Sequence, residues 1–201
     1  MKALGSWTEC INLAVEAYNA GSFGIAAVIL EDNGNVVARG RNQLRDNLES
    51  CNTIRMTPIA HAEINALNNL PLQRQKDKDL ILYTTVEPCP MCIGAIVMSK
   101  IRRVMVGSAD PHAGSVGLLE KDDYLKQKGV VAVFADGIVE ELCFSLHYIS
   151  IKRDLRPNHP AFARMHKRYP AYAEKLDKLI DSGRLIINKP LETSELVQAL
   201  E

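Results

Sequence analysis

From residue 80 onward the chain alternates short apolar strands with helices, and this alternation leaves few architectures open. Leu80–Thr85 has the density of a buried strand, Met91–Ser99 reads as a short helix and Arg103–Val106 as a strand. Leu118–Lys128 then reads as a helix and Val130–Phe134 as a strand, with Gly129 where a helix C-cap is wanted. Successive strands joined through helices pair in parallel with right-handed crossovers. Upstream, Phe23–Leu30 and Asn35–Arg41 flank the turn residues Glu31-Asp32-Asn33-Gly34 and predict an antiparallel hairpin. Together these segments predict a three-layer α/β/α sandwich on a mixed, five-stranded sheet.

The flanking segments are helical. Thr8 or Ser6 is positioned to cap a helix carrying Ile11, Leu13, Ala14, Val15, Ala17 and Tyr18, with Gly21 as its stop. Ile138–Lys152 predicts a longer helix. Between Asn42 and Pro58 the sequence is polar and irregular, a long loop leading into a predicted helix at Ala60–Asn69. Beyond Arg156, prolines punctuate a tail with helical pieces near Ala171–Ser182 and Thr193–Leu200. The expected organisation is a core domain over residues 1–156 and a helical C-terminal extension over 157–201 packed on it.

Composition excludes several classes. The chain has 201 residues with 24 Lys+Arg against 24 Asp+Glu, which removes any global electrostatic reason to bind polyanions. At this size about 70% of the unfolded surface is buried on folding, so no metal or disulfide staple is required and a bound metal serves function. Five scattered cysteines, an odd number, do not make a secreted disulfide framework, and the thiols are expected to be reduced. No run approaches the roughly 20 apolar residues of a membrane span, and no leader pattern opens the chain. A cytoplasmic location without membrane association is expected.

Two short signals carry chemistry. His61-Ala62-Glu63 and Pro88-Cys89-Pro90-Met91-Cys92 each sit where a loop enters a helix. Alone, each has an ordinary reading: Glu63 suits the first turn of any helix, and a Cys-x-x-Cys also occurs in packed cores or redox sites. Together, one imidazole and two thiols make a ligand set suited to zinc with a fourth tetrahedral position left for water. A structural zinc would need a fourth ligand, and Cys10, Cys51 and Cys143 each stand alone in the sequence. Pro90 suits the first turn of a helix, which puts Cys89 at its N-cap and Cys92 inside the turn, both at the positive helix end. His61 and Glu63, two apart, share no lateral helix face and meet one site only from the very start of their helix. A carboxylate there can move a proton from zinc-activated water to a ring nitrogen and then to a leaving amine, the chemistry of hydrolytic deamination.

The pattern H-x-E…P-C-x-x-C resembles the signature of zinc-dependent nucleobase deaminases of the cytidine and deoxycytidylate deaminase superfamily. Ala26-Ala27-Val28-Ile29, Asn42, His61-Ala62-Glu63-Ile64 and Glu87-Pro88-Cys89-Pro90-Met91-Cys92 with Gly94-Ala95 extend the likeness over roughly residues 6–155. It is similar to the group of tRNA adenosine, guanine and cytosine deaminases and does not choose between them. The resemblance implies a cytidine deaminase-like fold, one Zn2+ per chain on His61, Cys89 and Cys92, and Glu63 as general acid/base. It further implies that the Asn42 amide and the Ala62 backbone contact the base, with Phe23 and Glu87 in the pocket wall. The chain departs from the family pattern in having Ser22-Phe23-Gly24 where relatives have Pro before the hydrophobic-Gly pair. Its stretch between Asn42 and His61 is longer than usual, which predicts a shift of Asn42, and so is its tail.

In an α/β sheet the ligand crevice lies beyond the carboxyl ends of the strands, so the loop Ser108-Ala109-Asp110-Pro111-His112 should border the site. Asp110 and His112 are substrate-contact candidates, against the plain reading of an Asp-Pro turn. His159, Arg164, His166, Lys167 and Arg168, interleaved with Phe162, Tyr169 and Tyr172, fit either a solvated helix face or a phosphate contact. The first expectation is an aminohydrolase acting on a free nucleobase, nucleoside or nucleotide. The alternatives are an adenosine-to-inosine deaminase acting on tRNA and a zinc-stabilised binding domain without activity. A homodimer is also expected, with the helix face Ile93, Ile96 and Val97 as the candidate interface against plain burial on the sheet.

Overall fold

The strand β1 (Ala26–Leu30) is buried along its whole length, as a strand needs to be when both faces of its sheet are covered. In the computed structural model, which describes residues 4–46, 53–74 and 79–201, β1 is the second strand from one edge. It pairs antiparallel with β2 (Val36–Arg41) and with β3 (Ile81–Val86). β3 runs parallel to β4 (Arg103–Ser108), and β4 parallel to β5 (Val131–Phe134). The order β2-β1-β3-β4-β5 is the mixed sheet expected from the hairpin and the later crossovers.

Period-two alternation divides β1 between two cores. Ala26, Val28 and Leu30 join α1 (Trp7–Asn19) and α6 (Gly137–Asp154) on one face. Ala27 and Ile29 join α2 (Ala62–Asn68) and α3 (Pro90–Met98) on the other. The tail supplies α7 (Pro160–Arg168), α8 (Pro170–Asp181) and α9 (Thr193–Leu200), whose Met165, Ala173, Leu176 and Leu196 are fully buried in the first core with Ile11 and Phe144. The C-terminal helices therefore share the core of the sheet's α1/α6 face. No helix among the described residues is long and apolar enough to cross a membrane.

The structure corrects several local expectations. The predicted Leu118–Lys128 helix is two short ones, α4 (Leu118–Lys121) and α5 (Asp123–Lys126), because Asp122 turns extended and accepts a hydrogen bond from the Leu125 N–H at 2.9 Å, starting a new helix. α7 was not foreseen: Pro160 at its first position and His159, whose Nδ1 accepts from the Ala161 N–H, open it. Ser6 occupies the N-cap of α1 but its hydroxyl makes no capping bond, and Thr8 lies inside the helix. Gly21, at φ +82°, follows α1 as expected. Ile93, Ile96 and Val97, the expected subunit interface, are buried against the sheet in the second core and are not available to a partner. Cys51 and residues 47–52 of the long loop lie outside the described residues.

Gly40 on β2 fixes where α2 sits. A Cβ there would lie 2.1 Å from the Ala66 backbone nitrogen, so only glycine lets α2 press onto the sheet. That close approach sets the start of α2, and with it His61 and Glu63.

Candidate active site

His61 is the N-cap of α2, with extended backbone (φ −77°, ψ 154°), and Glu63 is the second residue of the helix. The change from extended to helical backbone between them resolves the spacing problem: residues two apart reach one site because one of them precedes the helix. Cys89 likewise caps α3 in extended conformation, Pro90 follows at the first helical position, and Cys92 lies inside the first turn.

The three expected donors converge. His61 Nδ1 is 3.6 Å from Cys89 Sγ and 3.5 Å from Cys92 Sγ, and the two sulfurs are 3.6 Å apart. A tetrahedral zinc with ordinary Zn–N and Zn–S bonds requires N···S near about 3.6 Å and S···S near about 3.8 Å, so the triangle fits the ion. Its donor chemistry fits as well. The contact with Cys92 lowers Cys89 to about 4, against the opposing effect of its burial, and the same contact with burial pushes Cys92 far up. The hydrogen bond with Cys89 raises His61. Such a cluster holds one thiolate beside an imidazole, an arrangement that a divalent cation stabilises. Cys10 lies apart, its thiol bonded to the Ala26 carbonyl at 3.4 Å, and Cys143 is buried in the first core. Neither joins the triangle, and among the described residues it has no fourth histidine or cysteine.

Glu63 is only 4% exposed, and its burial raises the carboxyl above the usual range. Its Oε2 is 3.3 Å from Cys92 Sγ and its Oε1 is 3.0 Å from Thr84 Oγ1. The Thr84 hydroxyl also lies 3.1 Å from the Val86 carbonyl. With one proton to give, Thr84 donates to the carbonyl when Glu63 is protonated and to the carboxylate when it is ionised. Thr84 thus orients the carboxyl in both states.

A cavity of about 160 Å³ opens beside these residues, and Phe23, Asn42, Ala62, Glu87 and Asp110 all border it. The longer loop has not carried Asn42 away: it is 3% exposed, and its Oδ1 accepts from Ser22 Oγ at 2.6 Å and from the Leu44 N–H at 3.3 Å. Ser22, a departure from the family pattern, is therefore the partner that holds Asn42. Glu87 uses both carboxylate oxygens on the loop after β4, accepting from the Asp110 and Val116 N–H groups at 3.2 and 3.0 Å. Asp110 Oδ1 accepts from the His112 N–H at 2.8 Å, the expected turn, while the residue still borders the cavity. His112 does not border it; it is exposed and packs edge-on against the His159 ring, centroids 5.2 Å apart.

Two residues of the site carried no signal in the sequence. His147, from α6, borders the cavity, and Thr84, on β3, holds Glu63. Both sit inside apolar stretches that read as core. The same stripe of α6 holds Phe23 in place: Ser150 Oγ accepts from the Gly24 N–H at 2.7 Å and Arg153 Nη2 donates to the Ser22 carbonyl at 2.7 Å.

Residues 5–108 match the cytidine and deoxycytidylate deaminase zinc-binding region. The chain is 35% identical over 141 residues to a tRNA-specific adenosine deaminase of Bacillus subtilis (strain 168), covering 67% of this chain and 80% of that protein. It is 30% identical over 151 residues to a guanine deaminase of the same organism, covering 74% and 86%. A solved structure from a study of A-to-I editing by tRNA:A34 deaminases superposes with a TM-score of 0.54 at 26% identity, over 70% of this chain and 97% of that one. The chain belongs to the cytidine and deoxycytidylate deaminase family, with its zinc-binding region, and is a deaminase, a hydrolase of C–N bonds.

Proposed function

We propose that the protein hydrolyses the exocyclic amine of a free nucleobase, of guanine or cytosine/adenine type, or of its small nucleoside or nucleotide, releasing ammonia. The shared lining of the cavity carries this reading: Phe23, Asn42, Ala62 and Asp110 border it together with His61, Glu63 and Cys89. At about 160 Å³ the cavity has room for a planar heterocycle, since a cavity of roughly 150 Å³ accepts benzene. His61, Cys89 and Cys92 hold Zn2+, which supplies Lewis acidity and brings the pKa of water towards about 7. Phe23 offers a ring face to the base, and Asn42, the Ala62 backbone and Asp110 meet its polar edges. Glu63 takes a proton from water as its oxygen bonds to the amine-bearing carbon, passes it to the adjacent ring nitrogen, and delivers a proton to the departing amine. Water and the substrate amine become a ring carbonyl and ammonia. Burial raises the carboxyl, which favours the protonated form that Glu63 passes through as it accepts and gives that proton.

Ammonia release from guanine, adenine, cytosine and their nucleosides on zinc-loaded protein tests the reading. Turnover of one of them that is lost in Glu63→Ala with zinc retained is expected. No turnover of any compound refutes it and leaves the tRNA substrate or the zinc-stabilised binding domain.

A second reading, adenosine deamination within tRNA, is favoured by the likeness to the Bacillus subtilis tRNA-specific enzyme and by the exposed Arg156, Arg164, Lys167 and Arg168 in and before α7. It requires tRNA binding that weakens steeply with salt, since phosphate contacts release counterions. Negligible affinity at every ionic strength removes it. A cytoplasmic location accords with either substrate.

A further inference from the structure

His147 is 6% exposed, borders the same cavity as His61 and Glu63, and has an Nδ1 without a hydrogen-bond partner. Nε2 of the same ring has no hydrogen bond either and is the nitrogen left accessible, whereas buried polar groups are almost always paired. The only other buried side-chain nitrogen or oxygen without a hydrogen bond among the described residues, Arg41 Nη1, faces the Asp46 carboxylate in an ion pair. His147's neighbours on α6 solve the same problem locally. Ser145 and Ser150 each donate to the carbonyl four residues back at 2.6 Å, a route that leaves their hydroxyls satisfied within the helix. Nδ1 of His147 has no such bond.

Several oxygen atoms of the other lining groups are already engaged. Asn42 Oδ1 has two donors, both oxygens of Glu87 hold the loop after β4, and Asp110 Oδ1 holds its own turn. Burial lowers His147, with Asp110 opposing and His112 reinforcing, so the ring is neutral and offers one donor and one acceptor nitrogen. A base seated with its amine-bearing carbon at the His61–Cys89–Cys92 end turns its remaining ring edge towards the rest of the cavity wall. That edge carries ring nitrogens or a carbonyl.

We propose that His147 is a substrate-recognition residue whose Nε2, the ring nitrogen left accessible, hydrogen-bonds the heterocycle on the edge turned away from the metal-binding end. The proposal rests on the reading of the cavity as a base pocket. Its role is in binding and specificity rather than in the bond-breaking step. It also predicts a preference for bases with a polar ring atom at that edge over analogues in which the atom is CH.

Zinc-loaded wild type, His147→Leu and His147→Gln test this on whichever base the wild type turns over. Leucine fills similar volume without a polar atom, and glutamine keeps one near the Nε2 position. His147→Leu should raise KM about tenfold with kcat nearly unchanged, as loss of one neutral hydrogen bond requires. His147→Gln should recover part of the loss. Equilibrium binding of the base should weaken in parallel. The ligand-free Tm of His147→Leu should equal or exceed that of wild type, because an unpaired buried nitrogen has been removed. A deaza analogue lacking the contacted ring nitrogen should lose affinity for wild type and not for His147→Leu. If KM and binding change by less than about twofold, or worsen only together with a fall in Tm, His147 is a packing residue and the proposal is overturned while base deamination stands. If wild type neither binds nor turns over any base, the proposed function falls and takes this inference with it.

Discussion

Tyr169→Phe removes one oxygen atom from the junction between the C-terminal helices and the site. Tyr169 is 6% exposed; its hydroxyl accepts from the Ala109 N–H at 2.9 Å and donates to Glu140 Oε1 at 2.9 Å. Burial pushes the phenol up to about 12, so it keeps its proton and both bonds persist through the neutral range. Loss of the bond to Ala109 removes about 1 kcal/mol, and loss of the charge-assisted bond to the half-buried Glu140 about 1.5 kcal/mol, the low end for a charged partner. For a chain of this length about 2.5 kcal/mol lowers Tm by roughly 5–10 °C. Phenylalanine keeps the ring, whose centroid is 4.7 Å from that of Phe144, so packing is unchanged. Because Ala109 precedes Asp110 at the cavity, KM should rise while kcat changes little. Thermal unfolding and steady-state kinetics of the zinc-loaded variant measure both effects. A Tm loss under about 2 °C, less than 1 kcal/mol on the same conversion, refutes the claim that this hydroxyl pins the loop.

Three further outcomes follow from the same geometry. Glu63→Ala should lower kcat by about 10²–10⁴-fold, the range for removing a general acid/base, with zinc content by metal analysis unchanged; loss of the metal instead would make Glu63 structural. Leu176→Ala, at a fully buried position on α8, should destabilise the whole protein by about 2–5 kcal/mol in urea unfolding. A separate early transition confined to the C-terminal helices would show that they do not share the core cooperatively. Burial raises the Asp177 carboxyl, but hydrogen bonds from Lys152 and Tyr148 outweigh it and hold the group below its ordinary value. Its contribution to stability is therefore complete above the unfolded carboxylate pKa of about 3.9 and lost as pH falls through the lower folded value. The stability gap between wild type and Asp177→Asn should be constant from neutral pH down to that range and close below it; a gap independent of pH down to full acid unfolding would exclude the ionised carboxylate as its source.

The metal triangle was legible because its constraints are local. Pro90 fixes the start of α3, and the two-residue spacing of His61 and Glu63 leaves a helix N-terminus as the place where both can serve one site. The sheet order was legible from the alternation of strands and helices, since parallel neighbours need crossovers. What stayed hidden depends on tertiary contact. Thr84 lies in an apolar strand where threonine is an ordinary β-former, and only the register of β3 against α2 sets it on Glu63. His147 falls in the continuous buried run Leu142–Ile151, where helical periodicity gives no face to separate core from cavity. α7 escaped because the tail reads as proline-broken, although Pro160 opens a helix rather than ending one. Conversely, Leu118–Lys128 read as one helix because its composition is helical throughout, and the Asp122 side chain, competing for the backbone, divides it.

The C-terminal helices are connected to the chemistry through α6 and the loop after β4. On one stripe of α6, Phe144 and Tyr148 meet the extension: Phe144 packs on Tyr169 and Tyr172, and the Tyr148 hydroxyl donates to Asp177 at 2.8 Å. On another stripe, His147 borders the cavity while Ser150 and Arg153 hold the segment carrying Phe23. Tyr169 pins the residue before Asp110 from outside, and Arg164 Nη1 donates to the His112 carbonyl at 3.4 Å further along the same loop. The metal-binding triangle, by contrast, belongs to α2 and α3 on the opposite face of the sheet. Changes in the extension should therefore reach substrate affinity through α6 and the loop before they reach the metal. This division follows from the two-faced sheet: α2 and α3 bring His61, Glu63, Cys89 and Cys92 from one face, and α6 brings His147 and the residues that hold Phe23 from the other.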